Sequence, residues 1–384
     1  MSQDLRGKDR RSKEHRSKDR AAPSFADETE AYLAWVETYC PLRRKDLKRK
    51  HAAMRASPFA FLRGSFYRWH RHFAAVPEPV RVAPAWLVIG DTHLENFGTW
   101  RDADGRLVWG VNDFDEAATL PFTSDLVRLA TSAALETDSP GFRLSATESA
   151  DAILEGYTAH LRFGPEPFVL EERHAWLRDL AAANGDAAQA VWRKLRTRKR
   201  LDPAEVPAPV RRRLEAALPP GAGPVQFHRR RAGIGSLGRP RYLALAEWKG
   251  GLTAREAKAA VPSAVHLGEP PRPDPAADSA RLLAAACRAP DPMLRYDGDW
   301  VLRRLSPEAR KVEIGEIKGV PDQRHLVHAM GREIANVHLG VVGGPGPLRA
   351  YLEILPDTWL RHSATLAAEQ VQADFAAFRD TEEE

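Results

Sequence analysis

Gly90-Asp91-Thr92-His93-Leu94-Glu95-Asn96-Phe97-Gly98 follows directly on the short apolar run Trp86-Leu-Val-Ile89. An apolar run of that length, ending at a glycine, reads as a buried strand opening into a loop. Beyond it, Asp102-Ala-Asp-Gly105 reads as a turn, and Arg106-Leu-Val-Trp-Gly-Val111 as the return strand of a hairpin that ends in Asn112-Asp113-Phe114-Asp115-Glu116. Taken singly, Asp91 and Asp113 are ordinary turn formers, His93 a core histidine and Asn96 a loop residue. Their order is more specific: strand, Asp-x4-Asn, hairpin, Asp-Phe. That order suits phosphoryl transfer, in which one Asp orients an acceptor hydroxyl and takes its proton, while the Asn and the second Asp hold Mg²⁺ on nucleotide phosphates. Mg²⁺ takes hard oxygen ligands and keeps much of its water, so few protein contacts are needed. Asp91 and His93 are therefore the catalytic candidates, and Asn96 and Asp113, with Asp115 as auxiliary, the metal candidates. Asp125, in Asp125-Leu-Val-Arg-Leu, is expected either to brace this loop or to cap the next helix.

Upstream, apolar residues at three-to-four spacing predict helices between Glu28 and Val76, with Ser57-Pro58 as cap and first turn of one of them. Downstream, helices are predicted over Ser124–Glu136, Thr147–Leu161 and Leu170 to about Leu195. Six prolines between Leu201 and Val225 read as a linker. Two strands, Val225–Ala232 and Arg241–Trp248, then flank Gly233-Ile-Gly235-Ser236-Leu-Gly238. A dinucleotide-binding fold would place a helix after the last glycine. Pro240 and a strand follow instead, which suits a glycine-rich hairpin over phosphates. The next strand, Leu252–Ala260, carries Lys258, with Lys318 as its rival for the phosphate-binding role. A helix at Ser279–Cys287, strands near Met293 and Trp300, and helices at Gln323–His338 and Ala364–Arg379 complete the chain. Arg63 and Arg303 are candidates for phosphate contacts or for structural salt bridges. Trp86, Trp100 and Trp109 are expected in the core.

The 384 residues exceed the usual reach of one hydrophobic core, so two lobes are expected. With 43% hydrophobic and 28% charged residues, the composition is that of an ordinary globular protein. No apolar run reaches membrane-spanning length, and Cys40 and Cys287 make neither a disulfide framework nor a metal-ligand pattern. The first segment has no apolar core of a secretory signal, and a cytoplasmic location is expected. The net charge of +5 is concentrated at the start, where eight basic and four acidic residues lie between Met1 and Arg20. Residues 1–24 read as a disordered basic tail, and the nearly neutral remainder gives no sign of nucleic-acid binding beyond weak contact through that tail. The expected organisation is the tail, a catalytic core over 25–200, a linker over 201–224, a nucleotide-binding sheet over 225–320, and C-terminal helices over 321–384.

Three blocks, Ser57-Pro-Phe-Ala-Phe-Leu-Arg-Gly64, Gly90 to Gly98 and Asn112 to Glu116, resemble the hallmark blocks of a bacterial family, domain-of-unknown-function family 2252. Gly233 to Tyr242 and Ala257-Lys258 fit it as well. The Asp91 and Asp113 blocks are also similar to the catalytic and metal loops of aminoglycoside phosphotransferases and other protein-kinase-like enzymes. This second resemblance implies an α+β, two-lobed kinase-like fold that uses ATP and Mg²⁺. Its glycine-rich loop (Gly233, Gly235, Ser236, Gly238) and Lys258 would hold the phosphates. In kinases those parts precede the catalytic loop; here they come about 140 residues later, which implies a circular permutation. Asp278 stands where the glutamate partner of the lysine is expected, with a shorter reach. Gly90 replaces the Arg of the kinase His-Arg-Asp loop, as in small-molecule kinases.

The leading functional expectation is an ATP- and Mg²⁺-dependent phosphotransferase acting on an unidentified hydroxyl acceptor, more readily a small molecule than a protein. Nucleotidyl transfer would use similar parts. The alternatives are a metallophosphoesterase built on Asp91 and His93, and a catalytically inactive nucleotide-binding scaffold.

Overall fold

A computed structural model describes residues 24–171, 173–181, 185–312, 314–317 and 319–380. The tail expected over residues 1–24 (apart from Ser24) and the rival Lys318 lie outside the described residues. Five helices come first: α1 (Phe25–Glu37), α2 (Arg44–Met54), α3 (Pro58–Gly64), α4 (Trp69–Ala74) and α5 (Glu78–Arg81). Ser24 starts α1 through a reciprocal cap with Asp27. Ser57 caps α3 by accepting the N–H of Ala60, with Pro58 in the first turn as expected.

Strand β1 (Ala85–Val88) pairs antiparallel with β4 (Ala118–Pro121), and between them β2 (Phe97–Arg101) and β3 (Leu107–Val111) form the expected hairpin. Asp102 closes its turn, with Oδ1 accepting the N–H groups of Asp104 and Arg106. Helices α6 (Thr123–Ala134) and α7 (Ala146–Phe163) follow. The single helix expected from Leu170 to about Leu195 is two helices, α8 (Ala175–Ala181) and α9 (Gly185–Arg196), preceded by strand β5 (Phe168–Val169), which extends the hairpin sheet. A left-handed His174 (φ 60°) stands between β5 and α8, where a continuous helix cannot pass.

The expected linker is also folded. It holds the end of β6 (Arg200–Leu201), a 3₁₀ turn at Pro203–Glu205 and α10 (Ala208–Ala217). Pro203 and Pro209 occupy first turns, where a missing N–H costs nothing. Next come β7 (Gln226–Arg229), β8 (Arg241–Trp248), β9 (Gly251–Ala259), α11 (Ala277–Ala285), β10 (Arg295–Asp297) and β11 (Trp300–Leu305). These strands and β6 form one antiparallel sheet in the order β10-β11-β9-β8-β7-β6. The chain closes with α12 (Val320–Val342), α13 (Gly346–Leu352) and α14 (Trp359–Asp380).

Register decides what the six-stranded sheet shows to the rest of the molecule. Lys258 of β9 lies between Arg241 of β8 and Val301 of β11, Glu256 between Leu243 and Arg303, and Ala254 between Leu245 and Leu305. Cross-strand partners share a face, so this face is charged at one end and apolar at the other. Leu195 of α9 joins the apolar end. A larger continuous apolar cluster runs from Tyr32 to Phe378 through helices and sheet alike. Within it α7 and α12 cross at backbone contact: a methyl on Gly156 would lie 2.0 Å from the His328 carbonyl oxygen, and one on Gly331 2.1 Å from that of Ile153. No helix among the described residues is long and apolar enough to cross a membrane.

Candidate functional site

The loop after β1 is held from below. Asp125, fully buried on α6, accepts the N–H groups of Ile89 and Gly90 at 2.8 Å each, and its backbone carbonyl takes the hydroxyl of Thr92. His338 of α12 meets the same carboxylate at 3.1 Å. Asp125 therefore braces the loop. Three residues on, Arg128 donates to Asp91 Oδ1 from both Nε (2.9 Å) and Nη2 (2.6 Å) and also bonds the Leu62 carbonyl. This fork fixes one oxygen of Asp91. Burial pushes the Asp91 carboxyl upward, while Arg128 pulls it down.

Asn96 stitches the two loops together. Its Nδ2 donates to the carbonyls of Asp91 and Asp113 at 3.0 Å each, and its Oδ1 accepts the Asp113 N–H at 3.0 Å. One lone pair of Oδ1 remains for a metal. Lys258 Nζ lies 3.1 Å from Asp113 Oδ2 and 2.6 Å from Asp115 Oδ2. Asp113 is held well below the usual carboxylate range by Lys258, against the opposing push of burial. Asp115 is raised, by burial first and by the neighbouring Asp113 charge second. Its Oδ1 is buried with no hydrogen-bond partner. An orphaned carboxylate oxygen beside Asp113 and Asn96 is the donor type that Mg²⁺ takes, so these three residues fit that ion.

These carboxylates form the floor of a cavity of 260 Å³. The roof is the loop between β7 and β8 with the charged end of the sheet. Gly233, Gly235 and Ser236 line it, as do Arg230, Arg241 and Arg303. The three arginines converge on Glu256, which is fully buried: Arg241 at 2.9 Å, Arg303 at 2.8 Å, and Arg230 in direct contact. Arg241 also donates to Ser236 Oγ at 2.7 Å. Burial, together with the neighbouring guanidinium groups, pushes Arg241 down to about 10. One carboxylate under three guanidinium groups leaves the roof positive.

Ten of the thirteen expected site residues line this cavity: Arg63, Asp91, His93, Asn96, Asp113, Asp115, Gly233, Gly235, Ser236 and Arg303. Lys258 stands just behind it, touching both Asp113 and Asp115. Gly238 does not reach it and instead packs against Leu47 of α2. Asp278 is the clearest correction. Its carboxylate pairs with Arg272 (2.8 Å) and Arg281 (3.2 Å) and does not meet Lys258, whose partners come from the 113–115 loop. Among the tryptophans, Trp109 stacks on Phe97 in the core and Trp86 packs against Phe122, while Trp100 reaches the cavity edge. The residues not anticipated are Arg128, Glu95, Glu116, Arg230, Arg239, Arg241, Glu256 and Lys311. Arg128, Glu95 and Glu116 lie inside the motif blocks without an assigned role, and Arg239-Pro-Arg241 directly follows the last glycine; Arg230, Glu256 and Lys311 have no such mark.

Residues 43–212 and 225–381 match a bacterial family described as an uncharacterized protein conserved in bacteria, DUF2252. The match covers most of the chain, and the protein belongs to that family. No curated protein and no solved structure is matched.

Proposed function

We propose that this protein is an ATP- and Mg²⁺-dependent phosphotransferase with a circularly permuted, kinase-like arrangement. The observation that carries the reading is the meeting of Lys258 with Asp113 and Asp115 across 145 residues of sequence. It joins an anionic floor to a glycine-rich, guanidinium-rich roof. The order of parts supports it too. The glycine-rich loop joins neighbouring strands β7 and β8, the lysine lies on the next strand, β9, and helix α11 follows, the order seen in protein kinases, here with β6 as an added edge strand.

The roof would hold the triphosphate of ATP through backbone N–H groups, Lys258 and the arginines. Asn96, Asp113 and Asp115 would hold Mg²⁺, which neutralises charge on the phosphates when bound. Asp91 has one oxygen fixed by Arg128 and leaves Oδ2 for the acceptor hydroxyl. The acceptor oxygen attacks the γ-phosphorus, the bond to the β,γ-bridging oxygen breaks, ADP departs, and the hydroxyl proton passes to Asp91. Desolvation of Asp91 raises its affinity for that proton.

A phosphoesterase built on Asp91 and His93 has less support. Such a site needs several protein ligands around its metals, and among the described residues no group of three or more His, Cys, Asp or Glu is arranged to hold one. A kinase-type site needs fewer, because phosphates and water complete the shell. The test is ADP release from Mg²⁺–ATP with a fractionated pool of bacterial metabolites as acceptors. Asp91→Asn should lower the rate by roughly 10²–10⁴-fold with ATP affinity retained. An unchanged rate, or AMP as the product, would contradict the reading.

A further inference from the structure

Charges around the open edge of Asp91 are not balanced. Arg128 covers Asp91, Lys258 lies between Asp113 and Asp115, and Arg239 stands 3.7 Å from Asp115, so the three carboxylates of the floor face three cations of their own. Beside them, Arg63 Nη2 (2.8 Å) and Lys311 Nζ (3.3 Å) both reach a single oxygen, Glu95 Oε2. Two cations share one carboxylate, and Arg63 Nε is buried without a hydrogen-bond partner. All three side chains line the cavity with Asp91. His93 adds no positive charge here. Burial, then Arg63, Lys311 and Arg128, hold its imidazole well below the ordinary range, so it is neutral.

The Arg63 side chain and the Lys311 backbone are held in place. Arg63 ends α3 with its guanidinium over the Phe59 ring, and its carbonyl faces Gly235 at the tip of the glycine-rich loop. Lys311 sits on a backbone bridge to Gly98 at the edge of β2. Glu95 is 35% exposed and has room to turn toward solvent, and Lys311, 36% exposed, has room to follow an incoming anion. A held guanidinium and a neighbouring ammonium with a displaceable carboxylate between them form a receptor for a different anion.

We propose that Arg63 and Lys311 form the acceptor subsite, and that the acceptor carries an anionic group, phosphate or carboxylate, beside the hydroxyl it presents to Asp91. The incoming anion takes the place of Glu95 between the two cations. That the ligand is an acceptor rests on the phosphotransferase reading; the anion subsite does not. An amine-rich acceptor of the aminoglycoside kind would meet two like charges at this edge.

The test titrates glycerol 3-phosphate, D-glycerate and glycerol into the full-length protein by calorimetry, with and without a saturating non-hydrolysable ATP analogue and Mg²⁺. One or both anions should bind and glycerol should not, and comparison of the two anions separates phosphate from carboxylate. Lys311→Glu should weaken anion binding about ten-fold or more, the scale of one charge-assisted hydrogen bond. Glu95→Gln should tighten it several-fold, and this opposite sign keeps the test open if Lys311→Glu fails to fold. Absence of anion binding to the wild type, or anion binding indifferent to both substitutions, would overturn the proposal. Anion binding that depends on Lys311 in a protein that ignores the nucleotide would sustain the subsite and count against the phosphotransferase.

Discussion

Glu116 follows the Asp113–Asp115 pair and lines the same cavity, with Oε2 accepting the Ala264 N–H at 2.7 Å. Burial pushes its carboxyl up to about 7, and Arg239, 3.9 Å away, opposes the shift only in part. The folded protein therefore keeps a proton on Glu116 that the unfolded chain releases near its ordinary pKa of about 4.3. The resulting stability is fully present below that value and is lost as pH rises through about 7. Glu116→Gln should flatten this part of the pH dependence, worth on the order of 3–4 kcal/mol. Thermal melts between about pH 4 and 8 would show it, and a variant with the wild-type slope would remove Glu116 as the cause. At this scale the sequence was informative only where neighbours in the chain are neighbours in space. Asp91, Asn96 and Asp113 lie on two loops joined by one hairpin, so their spacing carried their geometry. Glu95 and Lys311 meet across 216 residues; Glu95 sits in the catalytic block but its partner has no local pattern to mark it.

Helix α2 grips the glycine-rich loop from its outer side. Lys50 Nζ bonds the Gly235 carbonyl at 3.0 Å, the Arg43 N–H bonds the Gly238 carbonyl at 3.0 Å, and Asp46 pairs with Arg231 at 2.6 Å. Gly238 adopts φ +103°, and a methyl there would lie 2.6 Å from Leu47 Cδ2. Gly238→Ala should cost about 1–3 kcal/mol in denaturant unfolding, from backbone strain and the contact together. Adding Leu47→Ala should relieve the contact and leave the strain. Full recovery in the double variant would show that the backbone term is absent. The glycine-rich hairpin and the lysine strand were legible because Pro240 and the alternating strands exclude a helix after Gly238. The grip of α2 was not, since two of its contacts end on backbone carbonyls and the third, Asp46 with Arg231, spans 185 residues. The linker was misread for a different reason: proline in a first turn and proline in a coil leave the same mark in a sequence.

Across the whole molecule, the first and last described helices are neighbours. Phe25 of α1 and Phe378 of α14 lie 5.1 Å apart, and Arg68 pairs with both Glu28 and Asp374. Terminal helices that adjoin in this way make the proposed permuted order physically tolerable. The larger apolar cluster and the six-stranded sheet then bring residues 91–115 under residues 230–258. The central claim is that these two distant segments make a single nucleotide-phosphate site. It is tested most directly by calorimetric titration of a non-hydrolysable ATP analogue, with and without Mg²⁺, into wild type, Asp113→Ala, Lys258→Ala and, as control, Asp278→Ala. Mg²⁺-dependent binding is expected in the wild type, weakened at least about ten-fold by either of the first two substitutions and unchanged by the third. No binding, or binding indifferent to both Asp113 and Lys258, would contradict it.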